Sequence, residues 1–483
     1  MQLQSQRIAA FLSVLIAALL AGPAGAAEND SLEALLIEKG FITQSELEEA
    51  QAEAARKTPE AAPAPEPTPV PAEPEKKEEP QFKASASSKG LIVESTDGAF
   101  KFGLGGRIQY DAGGFSGGQT PIGAGSQLRR ARIASNAVLW TDWDVKLEVN
   151  FDNNGDATLT DAYLRYAGFE PVSITLGNQK VPFSQQSMTS SNWQVFQERA
   201  LLDAFIDNDE EGRRRLGGVV QSYGKFWNAA AGVFAGGVSA PTNGNNEDWG
   251  TAGRVVFFPI ADAKRLVTLG GSIYYRDFES SDSLQYQSRP EANLSSYRFV
   301  NTGTGVNAQG ATVSLLANAT DSLMYNIESS FVWNAFHAQA EYTGATVDRL
   351  LQSTAHFDGW YVQGGWFITG ESRNYDTTIA QFKRITPDHK YGAWEIALRY
   401  SSIDLASQEI RGGEQHDVTV GLNWWVNANV MFRFNYVRAM MDPTTAYMPQ
   451  IPNQLPPPTT VPAPGGGLDQ SINAFMGRVQ VVF

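Results

Sequence analysis

Along most of the chain, apolar and polar residues alternate one for one. In "FKFGLGGRIQYD" one parity holds Phe102, Leu104, Gly106, Ile108 and Tyr110, and the other holds Gly103, Gly105, Arg107, Gln109 and Asp111. In "DVKLEVNFD", Val145, Leu147, Val149 and Phe151 oppose Asp144, Lys146, Glu148, Asn150 and Asp152. "TDAYLRY", "AWEIALRY", "VMFRFNYV" and "FMGRVQVVF" split in the same way. A period of two puts successive side chains on opposite faces of a β-strand.

One such strand decides nothing, because a soluble antiparallel sheet also alternates. The sum is more specific. About sixteen segments qualify, many of them near the 9–11 residues that cross a membrane as a tilted strand. They begin near Phe100, Arg130, Val145, Thr158, Val172, Leu216, Ala229, Thr251, Leu266, Leu323, Phe336, Trp360, Trp394, Val418, Val430 and Ser471. Short turns ("WTDWD", "FEPVS", "GKFWN", "VWNA", "WWVNAN") alternate with long polar connections at 113–128, 180–212, 277–320 and 439–470. Trp140, Trp143, Trp227, Trp333, Trp424 and Trp425 gather at the short turns, where an interfacial aromatic girdle belongs. The pattern predicts an all-β, transmembrane antiparallel barrel of about 16 strands over residues 90–483, in contact with outer-membrane lipid. A secreted β-sandwich or lyase-like β-fold would explain the strands, but neither the loop alternation nor the tryptophans.

A barrel in lipid turns its polar parity inward, since an arginine facing the bilayer midplane costs about 2–4 kcal/mol. In "RRARIASNAVLW" this sends Arg130, Arg132 and Asn136 into the lumen and Ala131, Ile133, Ala137 and Leu139 toward lipid. Arg129 falls on the wrong parity, at a strand start where a rim or a bulge can re-aim it. Arg107, Arg165, Arg276, Arg399, Arg433 and Arg478 share the inward parity. From Gly90 onward there are 22 Arg and 7 Lys against 38 Asp and Glu. The acidic balance does not describe the pore, because loop carboxylates dominate it. Arginine keeps its charge and presents a fork of donors suited to oxyanions. An arginine-lined lumen is therefore expected to favour small anions, with a weakly selective general pore as the alternative.

Upstream, "RIAAFLSVLIAALLAGPAGAA" reads as an export signal ending near Ala26. Its apolar run is shorter than a membrane span. Residues 28–57 predict a short helical, coiled-coil-like periplasmic segment, and 58–89 a Pro/Glu-rich linker in extended conformation. With no cysteine, thiolate catalysis, thiolate zinc sites and iron–sulfur clusters are excluded.

"RRARIASNAVLWTDWDVKLEVNF", "TLTDAYLRYAGFEPVSITLGNQKVPFSQQSMTSSNWQVFQERALLDAF", "GRRRLGGVV", "FDGWYVQGGWFITGE" and "VGLNWWVNANVMFRFNYV" resemble the phosphate-selective porin O/P family. The resemblance covers residues from about Phe100 to Phe483. It implies a sixteen-stranded homotrimer whose third long loop, here residues 183–212, folds into the lumen with a short helix in "NWQVFQERALLDAF". It also implies anion-handling or constriction roles for Arg129, Arg130, Asp161, Ser190, Ser191 and Arg199, with Lys180 and Arg213 nearby. In this family a basic residue follows the paired serines, where this chain has Asn192; the departure argues against a high-affinity phosphate site. The terminal Phe483 is similar to the signal read by the barrel-assembly machinery.

Other motifs carry less. "DNNGD" (152–156) lacks the distal glutamate of a calcium loop and reads as a turn. His337, His356, His389 and His416 have no metal-ligand spacing, and no Ser–His–Asp order stands out. No enzyme activity, cofactor or nucleic-acid partner is expected. A tethering role for residues 28–80 is the remaining alternative.

Overall fold

The computed structural model describes residues 81–483, apart from 88–89, 119–121, 152–156, 207–212, 238–247, 283, 297, 307–311, 315, 409 and 442–469. The export signal, the helical segment, most of the Pro/Glu-rich linker and "DNNGD" lie outside the described residues.

The alternating segments form long antiparallel strands. A hairpin of β1 (Phe82–Ser87) and β2 (Gly90–Ser95) precedes β3 (Lys101–Gly117), β4 (Gly125–Leu139), β5 (Trp143–Phe151), β6 (Ala157–Phe169), β7 (Val172–Lys180), β8 (Arg214–Gly224) and β9 (Trp227–Phe234). Then come β10 (Trp249–Ala261), β11 (Arg265–Asp282), β12 (Ala319–Trp333), β13 (Phe336–Arg349), β14 (Ala355–Phe367), β15 (Ala393–Ser407), β16 (Ile410–Trp425), β17 (Val430–Met441) and β18 (Gln470–Val482). All sixteen expected strands are present. β18 pairs back onto β3, from Ile472↔Gly117 to Val482↔Arg107. The ring from β3 to β18 is thus closed, and no backbone donor row is left open to hydrocarbon.

The seam is finished by the chain terminus. Gly106 N–H donates to Phe483 O at 2.7 Å and Phe483 N–H donates to Gly106 O at 3.0 Å. A Cβ on Gly106 would stand 2.8 Å from the Phe483 ring, so only glycine lets the ring lie on the strand. Just before this point the β1–β2 hairpin extends the sheet: Phe82–Ser87 pairs with Gly90–Ser95, and Leu91↔Leu104 to Glu94↔Lys101 joins it to β3. Residues 82–87, assigned above to the linker, are therefore strand.

The faces follow the parity. Leu104, Ile108, Ile133, Leu147 and Leu164 are exposed on the outer face, whereas Arg107, Arg132, Glu148 and Asp161 are buried inside. Trp140, Trp227 and Trp333 are exposed at the short-turn end. Trp425 departs from the girdle: it is buried and packs on Phe367 at 5.3 Å between centroids. The reason is a connection that breaks the loop rule. Residues 368–392, between β14 and β15 at the short-turn end, fold back among inward side chains. There Ile385 packs with Phe367 and Trp425, Ala380 with Val256 and Phe258, and Phe382 with Leu266 and Val332.

Candidate functional site

The connection from β7 to β8 turns inward, as expected for the third long loop. Its apolar residues drive this. Val181, Phe183, Leu201, Leu202, Phe205 and Ile206 are buried with Tyr274, Tyr286, Val300, Phe357, Tyr361, Ile403 and Leu405 in one cluster. Each phenylalanine so buried is worth roughly 1.5–3 kcal/mol over exposure to water. Along β8 to β16 part of the lumen is therefore filled by apolar packing.

Helical structure in this loop is brief: α1 (Gln185–Met188) and a 3-10 turn at Leu201–Phe205. The resemblance placed a short helix in "NWQVFQERALLDAF", and only its last five residues adopt helical turns. The α1 start is pinned by Glu341 of β13, whose carboxylate accepts from Ser184 Oγ at 2.7 Å, Gln185 N at 3.0 Å and Gln186 N at 2.9 Å. Tyr361 Oη donates to the same carboxylate at 2.7 Å. The α1 end is held by cations: Lys180 Nζ donates to Ser187 O and Met188 O at 2.7 and 2.9 Å. Arg199 donates to Gln186 O and Thr189 O at 3.1 and 3.2 Å.

Several inward arginines also hold this loop. Arg433 donates to Gln194 O and Phe196 O at 2.6 and 3.1 Å. Arg478 donates to Gln197 O at 2.7 Å, and Arg399 to Glu198 O at 3.1 Å. Arg373, from segment 368–392, donates to Trp193 O at 2.7 Å. Gly421 makes room for the approach, since a Cβ there would stand 3.0 Å from the Phe196 ring. Arg399, Arg433 and Arg478 thus face inward as the parity required, but all three are fully buried. They are clamps on loop carbonyls, not a ladder open to water. Burial pulls the Arg373 guanidinium down to about 10, against the pull of Glu395.

The wall from β3 to β8 is organised by ion pairs. Arg107 donates to Glu148 at 2.6 Å, Ser191 Oγ at 2.9 Å and Asn192 Oδ1 at 3.2 Å. Arg132 donates to Glu148 at 2.9 Å and Asn150 at 3.0 Å. Asp161 accepts from Lys146 and from Arg214, each at 2.5 Å. Arg130 donates to Gln109 at 2.9 Å, Arg165 pairs with Asp144 at 2.7 Å, and Arg213 pairs with Asp203. Ser190 Oγ accepts from Asn192 N at 3.4 Å. At Arg129 the β3–β4 register shifts, with Gln109↔Arg130 followed by Tyr110↔Leu128. This bulge lets Arg129 reach the lumen loop, where its Nε and Nη2 each lie 3.1 Å from a Glu198 oxygen. Burial opposes ionisation of Glu198, but Arg129, Arg478 and Arg130 hold its carboxyl well below the usual range.

Open space remains at the short-turn end, as a cavity of about 490 Å³ beside β3 to β6. Arg107, Arg165, Ser190 and Asn192 line it; Arg129, Arg130, Arg132, Asp161, Lys180, Ser191, Arg199 and Arg213 do not. Its charged lining is Lys101, Arg107, Lys146, Arg165 and Arg384 against Asp144 and Glu148. Arg384 lies 5.2 Å from the Trp193 ring centroid, so segment 368–392 and the lumen loop meet at the cavity edge. Sequence reasoning missed Glu148, Glu198, Glu341 and Lys146 as site residues. Glu148, Glu341 and Lys146 sit on inward parities, and for the two glutamates the signal was charge balance: a row of inward arginines calls for inward carboxylates to face it.

The family described as phosphate-selective porin O and P matches residues 102–446. Porin O of Pseudomonas aeruginosa is 30% identical over 389 residues, 74% of this chain and 86% of that protein. An uncharacterized protein of Caulobacter vibrioides is 27% identical over 361 residues, 71% of this chain and 69% of that protein. Among solved structures, the anion-selective porin from Comamonas acidovorans is 12% identical and aligns with TM-score 0.47 over 80% of this chain and 100% of its own. That likeness is too loose to add to the strand pairing already described.

Proposed function

Because the chain belongs to the phosphate-selective porin O and P family, and is thus an outer-membrane porin, we propose that its lumen passes small anions, oxyanions of the phosphate type among them, by passive diffusion. One observation carries the preference: five cationic side chains and two carboxylates line the open cavity. Such a lining raises the local anion concentration, and guanidinium forks replace part of an oxyanion's hydration. Several weak contacts in series let the ion leave as readily as it enters.

In this reading Arg107 and Arg165 contact the permeating ion, with Ser190 and Asn192 beside them. Arg130 and Arg132 supply field from behind, and Arg129 presents its fork at the lumen loop, beside Glu198. Asp161 and Ser191 set the constriction by holding basic partners, and Lys180, Arg199 and Arg213 shape the loop that forms it. Trimer assembly, recognition of Phe483 by the barrel-assembly machinery, the export signal at 1–26 and the periplasmic placement of 28–80 belong to the same proposal.

The pairing of Arg107 and Arg132 with Glu148 and of Lys146 with Asp161 favours a second reading, a general pore with mild selectivity. The deciding measurement is the reversal potential of the purified porin in a planar bilayer under a potassium chloride gradient, followed by titration with inorganic phosphate. Anion selectivity with phosphate block supports the first reading, and weak selectivity without block supports the second.

A further inference from the structure

Apart from Arg165, which pairs with Asp144 of the wall and keeps 36% exposure, Arg129 is the most exposed of the lumen arginines named above with a carboxylate partner. Its side chain keeps 20% exposure, whereas Arg107, Arg132, Arg214 and Arg478 keep 8% or less. Its partner, Glu198, comes from the lumen loop rather than from the wall. The contact is bidentate, with Nε to Oε1 and Nη2 to Oε2 both at 3.1 Å, which is how a guanidinium grips any two-oxygen face of an oxyanion. Glu198 Oε1 also accepts from Arg478 Nη2 at 2.7 Å, although Arg478 is already satisfied by Asp111 at 2.6 and 2.7 Å.

The backbone at Glu198 is clamped. The carbonyls of Gln197 and Glu198 accept from Arg478 and Arg399 at 2.7 and 3.1 Å. The side chain is held only through its carboxylate, and its exposure is 15%. A fixed backbone with a tethered carboxylate on a partly exposed arginine fork is the geometry of an intramolecular ligand. Its effective concentration is high because the tether is short.

We propose that Glu198 is a built-in oxyanion surrogate: it occupies the Arg129 fork, and a permeating oxyanion binds there by displacing it. The inference rests on the anion-channel reading above and names a residue that sets its affinity. Competition from a tethered carboxylate weakens every passing oxyanion at this point and shortens its stay, which suits throughput over retention.

The test is the half-blocking concentration of inorganic phosphate for chloride current in planar bilayers. It is measured on the full-length porin, Glu198→Gln, Glu198→Asp, Arg129→Gln and the Glu198→Gln/Arg129→Gln pair. Glu198→Gln keeps the size and removes the charge, and should lower the half-blocking concentration about tenfold, the worth of roughly one charge-assisted hydrogen bond. Glu198→Asp, one methylene shorter, should give a smaller shift in the same direction. It keeps the test available if the amide disturbs the loop. The gain should vanish in the double variant, because it acts through Arg129. Unchanged or weaker block in both single Glu198 variants overturns the proposal, as does a gain that persists without Arg129. If the wild type shows no anion preference while Glu198→Gln acquires one, the channel reading fails and the surrogate role stands. An anion-selective wild type with no response to either Glu198 variant overturns the surrogate role and leaves the channel reading standing.

Discussion

The two halves of the lumen use the same residue type for opposite ends. Along β3 to β8, arginine and lysine stand beside carboxylates at the edge of an open cavity. Along β9 to β18, equally inward arginines are sealed beneath the lumen loop and segment 368–392, donating to the carbonyls of Gln194, Phe196, Gln197, Glu198 and Ala380. Facing inward is thus not the same as facing water. An arginine whose donors are used on fixed carbonyls offers little to a passing anion, however strong its charge. The open cavity lies on the half where the loops leave charged side chains uncovered.

That contrast can be broken most severely by emptying the sealed half. Replacing residues 371–390 with a short turn should remove the packing of Ile385, Phe382 and Ala380 and raise single-channel conductance severalfold. Unchanged conductance would show that the segment does not obstruct flow. Next in size is Glu341→Ala, which strips Ser184, Gln185, Gln186 and Tyr361 of a shared acceptor. At roughly 1–3 kcal/mol for each buried group left unsatisfied, a lower unfolding temperature and noisy open-channel current are expected, read by heat-shifted gel mobility and bilayer recording.

On the cavity side the effects are electrostatic and smaller. Arg107→Gln removes one of the five cations of the cavity and should roughly halve the anion-to-cation permeability ratio, seen as a shift in reversal potential. A shift toward stronger anion preference would contradict the role assigned to that side chain. Arg165→Gln should do least, since the side chain is 36% exposed and already paired with Asp144. Its effect on conductance should stay under about twofold and disappear at high salt, where screening shortens to about 3 Å at 1 M.

The parities that sorted Phe102 from Arg107 and Leu147 from Glu148 were legible because a strand's geometry is local. Each residue's face depends only on its neighbours two places away. The same holds for the closing strand and, through the short turns, for the strand count. The bulge at Arg129 was readable as a parity error at a strand start. Segment 368–392 left a trace only in its length at an end where short turns were expected, while Trp425 looked like a girdle residue because its cover comes from that segment.

Sequence alone therefore determined the barrel, its faces and the inward set of arginines, since alternation and the cost of charge in lipid act residue by residue. Which arginines meet water was decided only in three dimensions. Arg399, Arg433 and Arg478 are buried by carbonyls more than 200 positions away in the chain, and no local pattern specifies such a pairing. Burial is a property of what packs against a face, and here that is set by two loops arriving from opposite ends of the barrel.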